Sequence, residues 1–235
     1  MSKRHKELER LWPDLVKGDE KAIHEVRKLS RKVGAELRAA GAPNKVRRAW
    51  RDLRRAIASV RDRDAVVPHL VEGLRALGAS EEDVRSFGTA WKAKREEAFR
   101  SVTLPEPPPE FKVDVDLAKR ARKKLPGDLD KVREDAVHVL VSDDADTWHE
   151  WRKDLKRLRH TLELVAEPPR SMLDLLQALG RLQDAEVTKA LLSEFDGLPG
   201  YKEALLRRED EAASESKRAA REAWATLEDD LAQFD

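Results

Sequence analysis

The chain has 235 residues, 40% of them apolar and 40% charged, with no cysteine and a formal net charge of +1. That is enough apolar residue to bury a core, while disulfides, cysteine metal sites and cysteine nucleophiles are excluded. Abundant Ala, Leu, Glu, Lys and Arg favour helix, no segment approaches the length of a membrane span, and MSKRHKELERLW has no apolar run after its charges to make a secretory signal. The expectation is a soluble, cytoplasmic, all-α protein. Charge is unevenly placed: residues 1–110 hold 25 Lys and Arg against 18 Asp and Glu, residues 111–235 hold 22 against 28. A protein that coats nucleic acid non-specifically would be basic throughout.

In chain order, a short leading segment is predicted to end near Pro13. Asp19 is a helix N-cap, and Gly41 stops that helix. Pro43 opens a second helix to about Val60. RDRD (61–64) reads as a turn, and Asp62 or Asp64 caps a third helix that Gly78 ends. Ser80 and the acids after it cap a fourth, to about Arg100. LPEPPPEF (104–111) cannot be helical and reads as a stiff spacer. Beyond it come helices at 114–124 and 128–141, parted by Pro126-Gly127, then one from Asp144 to Glu167 stopped by two prolines. Shorter helices at 171–182 and 184–196 and a long charged one at 201–233 complete the chain. No alternating run is bounded by hairpin turns, so no strand is expected.

Two stretches match each other. His24-Glu25-Val26-Arg27-Lys28 and His149-Glu150-Trp151-Arg152-Lys153 share His, Glu, Arg and Lys in the same places. IASVRDRDA (57–65) is echoed by LGRLQDAEV (179–187), with Asp62 facing Asp184. Matched pairs in the same order indicate internal duplication. The expected architecture is therefore two helical bundles about a pseudo-twofold axis, at 1–104 and 112–235, with the proline-rich linker 105–111 between them.

At helical pitch His149, Arg152, Lys153, Lys156, His160 and Glu163 share one face, with Arg159 at its margin, while Trp148, Trp151, Leu155, Leu158, Leu162 and Val165 form a core seam. His24, Arg27, Lys28 and Arg31 do the same upstream, and Arg51 and Arg54 share a side of the next helix. KRARKK (119–124) is a further dense cluster. Like charges at these spacings repel by about a few tenths of a kcal/mol per pair, so such stripes call for an anion. Arg and Lys suit repeated phosphate oxygens, and His becomes a further cation among phosphates. Single-strand binders interleave aromatics with the basic groove for base stacking, whereas these tryptophans border the core seams. A phosphate chain without bases fits better, and nucleic acid is disfavoured.

The paired H-x-x-R-K helices, with LRHTLEL continuing the second, resemble the CHAD domain, the conserved histidine α-helical domain, over about residues 15–230. The resemblance implies two bundles around a basic central groove or pore that binds inorganic polyphosphate, with an association with polyphosphate granules possible for such a protein. By the same resemblance the lining is His24, Arg27, Lys28 and Arg31 with His149, Arg152, Lys153, Lys156, Arg157 and Arg159. The family often has Tyr where His160 stands. Catalysis is not expected, since no triphosphate-tunnel motif or glycine-framed nucleophile occurs; nor is a metal or cofactor, since HEWRK lacks a second His at i+4. The alternatives are a nucleic-acid-binding helical protein and an adaptor whose last helix docks a partner.

Overall fold

The computed structural model describes residues 3–198 and 200–231, and among these all regular structure is α-helical, in nine helices without a strand. The chain divides into two compact units, Met1–Val115 and Asp116–Asp235.

The first unit contains α1 (Lys3–Val16), α2 (Glu20–Ala40), α3 (Asn44–Ala56), α4 (Ala58–Ala76) and α5 (Glu81–Arg100). The Asp19 side chain accepts the Ala22 N–H at 2.7 Å and so caps α2. Gly41, at φ 70°, ends it in the left-handed conformation. Ser80 and Asp83 form a reciprocal capping box on α5. The seam residues Ile23, Val26, Val33 and Leu37 are all buried, with Leu53 and Ile57 beside them. Leu104 and Phe111 of the proline-rich run pack against this same core.

The second unit contains α6 (Leu117–Val139), α7 (Ala145–Leu162), α8 (Arg170–Ser193) and α9 (Lys202–Leu231). Trp148, Trp151 and Trp224 form an edge-to-face chain, with ring centroids 6.1 and 5.2 Å apart. Both buried indoles of α7 donate to backbone carbonyls, Trp151 to Val132 at 3.0 Å and Trp148 to Ser142 at 2.8 Å. Glu209 of α9, 1% exposed, pairs with Arg181 of α8 at 2.7 Å. The apolar side of α9 (Leu205, Trp224, Leu227, Leu231) is buried within this unit. No helix among the described residues is long and apolar enough to cross a membrane.

Four expected breaks are not there. Helix α1 continues through Pro13 to Val16, and Leu15 beyond the proline is fully buried. Helix α6 runs through Pro126-Gly127, because both face solvent while the seam Ala121, Leu125, Leu129, Val132 continues across them. An exposed helix turn can hydrate the carbonyl that loses its partner to proline. Helix α8 likewise crosses 183, its buried residues Leu179, Leu182, Ala185 and Thr188 keeping one face. The turn expected at 61–64 is helical: the chain bends instead at buried Ile57 (φ −97°, ψ 10°), so Arg61 to Asp64 lie within α4. At the other extreme α7 stops at Leu162 rather than Glu167, closing in a tight turn with Val165 N–H to Leu162 O at 2.7 Å, ahead of Pro168-Pro169. The predicted end of the last helix, 232–233, lies outside the described residues.

Candidate functional site: the cationic helix faces

In the first unit the spacing of the α2 seam turns His24 outward, where it lines a cleft of about 530 Å³ with Asp19, Arg61 and Asp64. One turn on, Arg27 is largely buried, its side chain 17% exposed. Its Nη1 lies 3.8 Å from Asp62 Oδ1, too far for a hydrogen bond, and this buried nitrogen has no acceptor among the described residues. Burial pulls the Arg27 guanidinium below its ordinary proton affinity, and the neighbouring charges of Arg61 and Arg54 add to this against the opposing pull of Asp62. Arg54 of α3 is lowered in the same direction by burial, then by Arg55 and Arg51. Three helices thus bring cations together with a single facing carboxylate. Lys28 reaches back to Glu25 at 3.2 Å, exposed Arg51 lies 3.7 Å from Asp52, and Arg31 is half-buried on α2.

In the second unit His149 and Arg152 line a smaller pocket, about 190 Å³, with Gln183 and Glu186 of α8. Nδ1 of His149 donates to Oε1 of Gln183. Arg152 lies across α8 where Gly180 has no side chain, its Nη2 3.5 Å from the place a Cβ would take. Most other cations of α7 are matched by carboxylates of the same helix or its end: Lys153 with Glu150, Arg157 with Asp154 at 2.6 Å, and Arg159 with Glu163 at 2.8 Å. His160 also bonds Glu163, at 2.8 Å. Burial raises the Glu163 carboxyl, but the His160 bond and the charges of His160 and Arg159 outweigh that and hold it below its ordinary value. Lys156 is half-buried on the same side as Arg152.

The expectation of a largely unpaired stripe therefore needs correction for α7. Spacing on one helix shows which charges share a face, not whether i+3 and i+4 carboxylates fold onto them. Glu36 of α2 holds Arg4 of α1 at 2.6 Å. Two site residues escaped sequence reading, Arg61 and Gln183. Reading RDRD and LQDA as turns removed both from any helix face. A continuous apolar seam through Val60 and Val66, and through Leu182 and Ala185, was the signal that would have kept them.

One solved structure, PptA from Streptomyces chartreusis, aligns over 94% of this chain and 95% of its own with a TM-score of 0.67, at 17% sequence identity, and so shares the fold. No match is found among curated proteins. Residues 104–193, which include α6, α7 and α8, match the family model of the CHAD domain. The matched stretch includes the helix that bears His149 and its cations, and there this chain is similar to the CHAD domain.

Proposed function

We propose that the protein binds inorganic polyphosphate, without catalysis, on the cationic faces of α2, α3 and α7. The observation that carries this reading is the crowding of Arg27 and Arg54 in the first unit. Two largely desolvated guanidiniums repel each other and their neighbours, and one buried N–H lacks an acceptor. A multivalent anion relieves all of this at once, and phosphate oxygens match the arginine fork.

The equivalence of the units supports the internal duplication. His24 meets Arg61 and Asp64 in one pocket, and His149 meets Gln183 and Glu186 in the other, the partners three residues apart on α4 and α8 alike. In this reading the units are repeats, and each presents its own basic face to the polyphosphate. The setting is the cytoplasm, where polyphosphate granules would be a partner. A base-stacking ligand is disfavoured because Trp50, Trp148 and Trp151 are 4%, 1% and 1% exposed, leaving none of them to stack on bases. Burial of the apolar side of α9 likewise removes the surface an adaptor would use.

Competition tests the proposal. Long-chain polyphosphate should displace bound RNA or duplex DNA at equal phosphate content, and the reverse exchange should fail. Equal displacement in both directions would make the faces a general polyanion surface, and orthophosphate displacing as well as the polymer would remove the need for a chain.

A further inference from the structure

The densest unmatched charge in the second unit is not on α7. Lys119, Arg120, Arg122, Lys123 and Lys124 occupy the first two turns of α6, and all five are exposed. None of the five side chains forms an ion pair among the described residues. The nearby Asp116 is engaged as the cap, accepting the Lys119 N–H at 2.9 Å. These cations also stand at the wrong end of the helix. The N-terminus of α6 carries the positive end of its dipole and has no acidic residue in its first turn, so Lys119 and Arg120 are disfavoured by the dipole and all five cations by their neighbours. On α7, by contrast, carboxylates answer most of the charge.

The position of the cluster follows from pairing across α6 and α7. Trp151 donates to Val132, Lys131 meets Asp154 at 3.1 Å, and Thr161 donates to Asp128 at 2.9 Å. Residue numbers fall on α6 as they rise on α7, so the helices are antiparallel. Thr161 is one residue from the end of α7, and everything before Asp128 therefore projects past that end. Arg120 and Lys124 step four residues apart to Asp128, and Lys119 and Lys123 step likewise to Gly127 and Lys131, so both exposed rows lead to residues that meet α7. A linear anion running along α7 from His149 towards Arg159 arrives at this cluster.

We propose that Lys119, Arg120, Lys123 and Lys124 form a separate track for the overhanging part of a long polyphosphate, so that this cluster sets a preference for chain length. The inference rests on the polyphosphate reading of the α7 face. A short chain is satisfied at the His-bearing faces and does not reach the track. A long chain engages both, the second contact acting at high effective concentration.

The test is a variant of this whole chain with Lys119→Gln, Arg120→Gln, Lys123→Gln and Lys124→Gln, titrated beside the parent with tripolyphosphate, with long-chain polyphosphate and with RNA. The variant should bind long chains at least tenfold more weakly, bind tripolyphosphate like the parent, and give a flatter dependence of long-chain affinity on salt. All four side chains are exposed, so the helical circular dichroism should be unchanged; should it not be, Lys119→Gln with Lys123→Gln serves the same comparison. Unchanged long-chain binding overturns the track, as does an equal loss for tripolyphosphate, which would put the cluster inside the primary site. Loss confined to RNA would assign the cluster to nucleic acid and overturn it too. A parent that binds no polyphosphate at all would instead remove the underlying reading.

Discussion

Replacing Arg27 and Arg54 together with glutamine should weaken long-chain polyphosphate binding about a hundredfold while leaving the protein as stable as the parent or more so. A hydrogen bond to a charged group contributes roughly 1.5–3 kcal/mol, and about 1.4 kcal/mol is tenfold, so two such losses reach that size. Stability moves the other way because both guanidiniums are held below their usual proton affinity, first by burial and then by neighbouring arginines. Arg51 and Arg54 are also an i,i+3 like-charge pair, and relieving it returns about 0.2–0.5 kcal/mol. The cost falls on Asp62, which loses a distant partner but is 39% exposed, open to solvent. Calorimetric titration and thermal melting on the same samples check both signs. A variant that binds like the parent, or that melts well below it, would show that the pair is structural.

Salt should have the other large effect. A polyanion held by six or more cations releases as many condensed counterions, and for nucleic acid that corresponds to a loss of about a thousandfold between roughly 50 and 200 mM salt. Polyphosphate should follow a similar slope, steeper for the parent than for the Arg27, Arg54 variant by about one per lost contact. Own-helix carboxylates compete for Lys153, Arg157 and Arg159, so the measured slope should fall short of a count of all nominated cations. A slope near zero would mean that the faces do not hold the ligand by charge.

Much of the fold was legible because the helix signals were chemical. Asp19, Gly41, Ser80 and Asp144 cap where their side chains and conformations dictate, and the seams of α2 and α7 are the buried residues their spacing predicts. The misread places share one cause. Pro13, Pro126-Gly127, RDRD and LQDA are breakers or polar runs in isolation, yet each is crossed by an apolar seam that gains more from continuing than the local residues lose. Of the site, the shared face of His149 and Arg152 was readable from pitch alone. The closeness of Arg27, Arg54 and Arg61 was not, since it depends on how α2, α3 and α4 meet. Nor was the neutralisation of α7 by Glu150, Asp154 and Glu163, which is a matter of rotamers rather than register.

The central claim is that one polyphosphate chain uses the faces of both units. It is tested most directly by titrating long-chain polyphosphate into the parent, the Arg27→Gln, Arg54→Gln variant and an Arg152→Gln, Lys156→Gln variant, with circular dichroism on each. Simultaneous engagement predicts that either double variant, still folded, binds much more weakly than the parent, because losing one face also removes the effective concentration it gives the other. A folded variant from either unit that binds long-chain polyphosphate as tightly as the parent would contradict it.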